Sequence, residues 1–168
     1  MSLERLWAGW RADYIAEVVA APADTADAPD CLFCVLGAGP PDESQIVARD
    51  ATTFAVLNAY PYTSGHLMVV PLRHVADLDA LDSGEANALM AMTQQATTAV
   101  RTAYGPEGIN VGMNLGRAAG AGVPGHLHVH VLPRWLGDTN FMTSVAETRV
   151  MPEALTTTLE RLRAAWPS

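Results

Sequence analysis

The stretch Gly125-His-Leu-His-Val-His-Val-Leu-Pro-Arg134 decides how the rest of this sequence is interpreted. Three histidines alternate in it with three apolar residues, and an alternation of period two is typical of a β-strand with two unlike faces. The apolar residues then face a core, and the histidines line up on the opposite face about 6.6 Å apart. A solvated strand has no need of a row of imidazoles, so we expect the chemistry of the protein to lie at His126, His128 and His130.

Composition and charge narrow the class of protein. The 168 residues, of which 49% are hydrophobic and 17% charged, predict one globular domain, residues 1–168. A net charge of −8 argues against binding to a nucleic-acid polymer, and the absence of lysine excludes a lysine-dependent phosphate loop. No apolar run is long enough to span a membrane and Met1–Arg5 does not begin a signal peptide, which predicts a cytoplasmic location.

Apolar runs elsewhere predict further strands and a terminal helix. The expected strands cover residues 46–48, 53–57, 66–71 and 109–114. The last helix is expected to run from Pro152 to Trp166, with the proline at its first position. Residues 1–30 are expected to form an N-terminal arm.

Residues 83–104 carry the clearest helical pattern of the chain. Asp82 can cap this helix, with Glu85 completing a capping box, and Gly105 stops it. Apolar residues at spacings of three and four, Met90 among them, are expected to form its buried face.

Cys31 and Cys34 are the only cysteines of the sequence. In a cytosolic chain their C-x-x-C spacing is typical of a metal site or a redox pair rather than a disulfide scaffold. The redox interpretation is the weaker one, because no strand-then-helix pattern surrounds the pair. A metal site needs two further ligands from elsewhere in the chain.

A glycine-rich loop, Gly116–Gly125, leads directly into the histidine strand, where its amides can surround an anion. Two chemistries then compete. Two or three imidazoles can bind one metal ion, although no carboxylate flanks the stretch. Alternatively His128 attacks phosphorus, while the loop amides, Asn114 and His130 stabilise the developing charge.

The histidine stretch and the Trp135 that follows it resemble the histidine triad of the HIT superfamily of nucleotidyl hydrolases and transferases. Residues 135–141 further resemble the diadenosine tetraphosphate phosphorylase-like branch. Similar motifs recur in the same order along nearly the whole chain, at Leu6-Trp7-Ala8, Cys31–Cys34, Asn58, Pro61-Tyr62, Gly65-His66, Val70-Pro71, His74 and Asn114-Leu115-Gly116. The resemblance implies an α+β fold, in which about five antiparallel strands carry flanking helices and two copies pair as a homodimer.

The resemblance also implies a role for each site residue. His128 would attack the α-phosphorus of a nucleotide to give a nucleotidyl-histidine, which water or inorganic phosphate then releases. His130 and His66 would bind phosphate oxygens. The other substrate contacts carried over are Ile46, Leu57, Asn58, Asn114, Gly116, Gly122 and Trp135.

Zinc-bearing relatives of this kind imply a metal site as well. The matching residues here are Cys31, Cys34, His74 and His126, which would bind a structural zinc. His126 thus has two implied roles, as a zinc ligand and as the residue whose carbonyl fixes the tautomer of His128. A divalent cation can also accompany the substrate.

One departure from the family pattern keeps alternatives open. Many relatives place Gln, Ser or Thr shortly before the triad, whereas residues 121–125 here offer no side-chain donor. The leading hypothesis is cleavage of dinucleoside polyphosphates, with adenine nucleotides as ligands. The alternatives are a purine nucleoside phosphoramidate hydrolase, a nucleotide-binding module without turnover, and a metal-dependent reaction at the triad.

Overall fold

The computed structural model describes residues 31–40, 45–138 and 153–167, and these build around one five-stranded antiparallel sheet. The strands are β1 (Ile46–Arg49), β2 (Thr53–Leu57), β3 (Leu67–Pro71), β4 (Gly108–Met113) and β5 (Val129–Arg134), and the helices are α1 (Leu32–Ala38), α2 (Ser83–Tyr104) and α3 (Leu155–Ala164). The strands lie in the sheet in the order β1-β2-β3-β5-β4. The predicted antiparallel α+β fold is confirmed.

Each face of the sheet has its own core. Leu67 and Val69 of β3 belong to the larger core, which α2 and α3 cover. Met68 and Val70, on the other face of the same strand, belong to a smaller core that α1 contributes to. Because β3 is buried on both faces, its sequence is a continuous apolar run rather than an alternating one.

Helix α2 begins and ends where local signals predict. Asp82 and Glu85 form a complete capping box, and Gly105 terminates the helix at a φ of +54°. The prediction that Met90 lies on the buried face is wrong, since its side chain is 52% exposed while that of Met92 is 3% exposed. The α2 face that packs on the sheet is therefore rotated toward Met92 and Ala99. None of the described helices is long and apolar enough to cross a membrane.

Helix α1 was not predicted, because the contacts that hold it are tertiary. Cys31 caps it without a side-chain hydrogen bond, so no local signal marks its start. At its other end the Arg49 guanidinium donates to the carbonyls of Leu36 and Gly39, at 3.2 and 3.1 Å. A strand residue thus supplies hydrogen-bond donors to carbonyls at the end of the helix.

Two other elements differ from the prediction by more than one residue. Strand pairing of β5 begins only at Val129, because the Leu127 amide donates instead to the Val75 carbonyl at 2.7 Å. Helix α3 begins at Leu155 with Ala154 as its cap, so Pro152 is not its first residue and itself lies outside the described residues. The expected N-terminal arm, residues 1–30, also lies outside them.

We expect Gly65→Ala to reduce the free energy of unfolding by about 2–4 kcal/mol, from left-handed strain and overpacking together. Gly65 has a φ of +81°, and a Cβ there would lie 2.8 Å from the Tyr104 ring. Gly105→Ala is the matched control, because its φ is +54° but no atom lies within 4 Å of the added carbon. Urea unfolding measures both variants. Equal losses would show that the Tyr104 contact contributes nothing.

Candidate active site and metal centre

A cleft of about 760 Å³ opens between α1 and the face of the sheet that carries Met68. We call it the histidine cleft. Its volume suits a small-molecule ligand, and among the described residues no charged side chain lines it. It is lined by Leu32, Phe33, Leu36, Gln45, Val56, Leu57, Asn58, Ala59, Tyr60, Tyr62, Met68, Gly120, Gly122, Val123, His128 and His130.

Side chains of the histidine stretch alternate between the two faces of the sheet. Leu127, Val129 and Val131 are buried in the larger core, on the face of the sheet that α2 and α3 cover. His128 and His130 line the histidine cleft on the other side. The two faces predicted from the sequence are therefore present, even though only part of the stretch is paired in the ladder.

His128 is held with one nitrogen available to the cleft. Its Nδ1 lies 2.8 Å from the His126 carbonyl oxygen, which can only accept, so Nδ1 carries the proton and donates. Nε2 then has a free electron pair in the neutral ring. Burial lowers the pKa of His128, against the smaller opposing effect of this hydrogen bond, and the ring stays neutral at pH 7. A neutral imidazole with a free Nε2 is a competent nucleophile.

His130 presents a donor to the same cleft, through a chain of hydrogen bonds. The Tyr62 amide donates to Nδ1 of His66 at 3.2 Å, so Nε2 of His66 carries the proton. That Nε2 donates to Nδ1 of His130 at 2.9 Å, which leaves the proton of His130 on Nε2. His66 is 1% exposed and does not line the cleft itself, so it acts on the cleft through His130.

The two cleft histidines are close together and both are desolvated. Their ring centroids lie 4.9 Å apart in a T-shaped arrangement. Burial, with repulsion from His128 as a second cause, lowers the pKa of His130 to about 4. His130 is therefore a neutral hydrogen-bond donor at physiological pH rather than a cation.

Cys31, Cys34, His74 and His126 converge into a second cluster behind α1, which we call the metal group. Their four ligand atoms all lie within 4.8 Å of one another. Nδ1 of His126 lies 3.3 Å from the Cys31 sulfur and 3.6 Å from the Cys34 sulfur, and Nδ1 of His74 lies 3.3 Å from the Cys34 sulfur. These separations fit a tetrahedral zinc site, in which nitrogen and sulfur ligands are about 3.5 Å apart.

The protonation states of His126 and Cys34 determine how the metal group would bind a cation. Nε2 of His126 lies 2.9 Å from the Pro71 carbonyl and must donate to it, so the free pair on Nδ1 faces the two sulfurs. Burial, with the neighbouring Cys31 as a second cause, raises the pKa of the Cys34 thiol to about 11. Such a thiol keeps its proton at neutral pH until a metal displaces it. The chain can thus supply two sulfur and two nitrogen ligands with no change of fold.

The loop before the triad closes one side of the cleft with backbone and small side chains. Gly116 and Gly120 have φ angles of +75° and +90°, and the Gly120 amide donates to the Arg117 carbonyl at 2.8 Å. The side chain of Asn114 donates to the Gly120 carbonyl at 3.4 Å. A Cβ at Gly122 would meet open space, so the cleft has room on this side.

The structure brings together only some of the residues carried over from the resemblance. Leu57, Asn58 and Gly122 line the cleft with the two histidines. Ile46 is 1% exposed, inside the smaller core beside the cleft wall. Trp135 packs against Tyr104, with ring centroids 6.4 Å apart, and is not part of the cleft lining. Substrate contacts by these residues, and by Asn114 and Gly116, stay predictions.

One wall of the cleft was missed by the sequence analysis. Leu32, Phe33 and Leu36 of α1 provide it, and Gln45 lies beside them just before β1. Positions 32, 33 and 36 share one face of a helix, so the signal is present in the sequence. It spans too few residues to be distinguished from a loop.

Fold and site together define an α+β protein with a candidate active site built from buried histidines. Residues 41–135 match the family model of the HIT domain. The AP-4-A phosphorylase of Mycobacterium tuberculosis (strain H37Rv) is 42% identical over 98% of this chain and 85% of its own length. The chain belongs to the HIT domain family and is an enzyme.

Solved structures agree with this assignment. A Zn-bound histidine triad family protein from Mycobacterium smegmatis superposes with a TM-score of 0.67 at 29% identity, covering 83% of this chain and 94% of that one. A hypothetical histidine triad nucleotide-binding protein from Sulfolobus tokodaii gives 0.66 at 27% identity, covering 80% and 91%.

The buried neutral histidines should make the protein less stable in mild acid. Because the pKa of His130 falls from 6.5 to about 4 on folding, the unfolded chain binds more protons between these pH values. Stability is therefore lost as the pH falls from 7.5 to 5, by about 1–2 kcal/mol from this residue after allowance for solvent screening. Urea unfolding at both pH values should show a smaller decrease for His130→Gln, which keeps an acceptor for His66. An equal decrease in both proteins would contradict the assignment.

Proposed function

We propose that this enzyme cleaves dinucleoside polyphosphates, such as diadenosine tetraphosphate, at the α-phosphorus through a nucleotidyl intermediate on His128. The observation that carries the proposal is the neutral His128 ring, whose Nδ1 is bound to the His126 carbonyl and whose Nε2 is free toward a cleft that no described charged side chain lines. The similarity to a protein named AP-4-A phosphorylase supports the substrate class.

The reaction proceeds in two displacements at the same phosphorus. The free pair on Nε2 of His128 forms a bond to the α-phosphorus, and the bond to the bridging oxygen breaks, with that oxygen keeping the electron pair. Water or inorganic phosphate then attacks the same phosphorus and breaks the phosphorus–nitrogen bond, which returns the electron pair to His128. Nε2–H of His130 donates to a nonbridging oxygen, where negative charge builds up.

The composition of the cleft indicates how the rest of the nucleotide is held. The apolar wall from α1 and Leu57 line the cleft together with Asn58. We propose that the base binds against the apolar wall and Leu57, and that Asn58 contacts the ribose. Asn58 is oriented by the Tyr60 amide, which donates to its Oδ1 at 2.9 Å. Since no cationic side chain lines the described part of the cleft, we propose that a divalent cation travels with the polyphosphate and neutralises part of its charge.

We further propose that the metal group holds a structural zinc. Cys31, Cys34, His74 and His126 would be its ligands, and a closed set of four protein ligands leaves no position for substrate. The zinc would therefore supply stability and positioning rather than chemistry. The Zn-bound structure from M. smegmatis supports this choice of metal.

A second candidate substrate class follows from the loop before the triad. The cleft residues of this loop are Gly120, Gly122 and Val123, and none of them offers a side-chain donor to a leaving group. A purine nucleoside phosphoramidate has a smaller leaving group than a polyphosphate and makes less demand on this side of the cleft. It is the alternative substrate class, and its turnover should be measured beside that of diadenosine tetraphosphate.

The homodimer stays a prediction, and β4 is the element on which it would depend. This strand is at the edge of the sheet, and its Val111 side chain is 48% exposed. An edge strand with an exposed apolar residue is a surface to which a second copy can add.

His128→Ala should remain folded and lose at least about a thousandfold in turnover of diadenosine tetraphosphate, because the covalent step is removed. Quenching the wild-type enzyme in alkaline denaturant, in which the phosphorus–nitrogen bond survives, should leave an adenylyl group on His128. Products of ATP and ADP in the presence of phosphate would identify phosphorolysis, whereas ATP and AMP would identify hydrolysis. The exposed Met90→Gln serves as the control. Full activity of His128→Ala would refute the nucleophile.

Elemental analysis of protein purified without chelators should find about one zinc per chain. His74→Gln should lose most of this metal, while His130→Gln should keep it, because only the first of these histidines is a member of the metal group. A wild-type protein with reduced cysteines and no metal would rule the zinc site out.

A further inference from the structure

We propose that the metal group positions one wall of the histidine cleft, so that occupancy by metal controls the affinity for the nucleotide. The element between the two sites is α1. This inference rests on the function proposed above, and it concerns binding of the nucleoside part rather than the chemical step.

Helix α1 presents opposite faces to the two sites. Cys31 and Cys34 belong to the metal group, whereas Leu32, Phe33 and Leu36 line the cleft. At about 100° per residue, the cysteines and the cleft residues lie on roughly opposite sides of the helix axis. A shift of α1 relative to the sheet therefore changes the metal group and the cleft together.

Few polar contacts among the described residues hold α1 in position. The helix has seven residues, no side-chain hydrogen bond from its N-cap residue, and no charged residue in its first or last turn. Isolated helices of this length are unstable in water. Apolar packing of Phe33 and Leu36 on the smaller core, and of Gly37 beside Phe54 and Leu72, holds its other side loosely in register. Its described polar attachments are the Arg49 hydrogen bonds at its end and the contacts of Cys31 and Cys34 with His126 and His74.

The other two ligands are attached to the sheet. His126 is oriented by the Pro71 carbonyl at the end of β3, and His74 follows the same strand three residues later. A metal ion shared by all four residues would therefore fix the distance between α1 and the sheet. Phe33 lies where that distance matters, because its ring is 5.5 Å from the His126 ring and 5.1 Å from the His128 ring.

A competing role for the metal leads to a different result. Through the His126 carbonyl, the metal could act on the orientation of His128 alone. Loss of metal would then lower kcat and leave the dissociation constant for AMP unchanged. If the metal instead positions the α1 wall of the cleft, loss of metal should first weaken the affinity for AMP.

The experiment compares the wild-type protein with zinc and after removal of zinc by a chelator under reducing conditions. Calorimetry measures AMP binding, and hydrogen exchange follows the amides of Val35 and Gly39, which close the turns of α1. Removal of zinc should weaken AMP binding at least tenfold and speed exchange of these amides at least tenfold. Exchange in α2 should not change, and added zinc should restore both properties.

Two variants separate the wall from the metal. His74→Gln removes a ligand that is neither on α1 nor in the triad, and it should reproduce the metal-free behaviour. Leu36→Ala keeps all four ligands and removes part of the wall, so it should bind zinc normally and AMP at least fivefold more weakly.

Three results would overturn the proposal. AMP affinity within twofold of the loaded protein after zinc removal would show that the wall does not depend on the metal. Faster exchange in α2 as well as α1 would show that the metal acts on global stability. Absence of AMP binding by the zinc-loaded protein would contradict the proposed function itself. Calorimetry on the zinc-loaded protein is sufficient to detect this result, so it is distinguishable from the first two.

Discussion

The hydrogen bond from Nδ1 of His128 to the His126 carbonyl, 2.8 Å long, is the contact on which the active site depends. It determines which nitrogen of His128 is free, and so which atom can react. The residue that supplies the carbonyl directs its own side chain toward Cys31 and Cys34. One residue thus belongs by its backbone to the reactive centre and by its side chain to the metal group.

Desolvation gives this site its chemical character. His128 and His130 are neutral at physiological pH because burial disfavours their charged forms, and no charged side chain lines the cleft within the described part of the chain. A neutral imidazole can attack phosphorus, and a neutral neighbour can still donate one hydrogen bond. His66 makes this division possible, since its own hydrogen bonds place the remaining proton of His130 on the cleft side.

Local sequence signals predicted α2 and the sheet well. The capping box at Asp82 and the glycine after Tyr104 are contained within a few residues of the helix ends, so no tertiary contact is needed to locate them. The alternation around His128 is equally local. Met90 is different, because rotation of α2 about its axis depends on how it packs against the sheet. The same reason explains why α1, held by Arg49, Cys31 and Cys34, escaped prediction.

By itself, the sequence determined the residue types, their alternation and the order of the motifs, and these were sufficient for the fold class and for the importance of the histidine stretch. Only the tertiary structure decided that His66 is hydrogen-bonded to His130, that α1 forms a wall of the cleft, and that Trp135 packs on Tyr104. The physical reason is that a side chain's neighbours come mostly from distant parts of the chain. The ring of His130, for instance, receives its hydrogen bond from a residue 64 positions away.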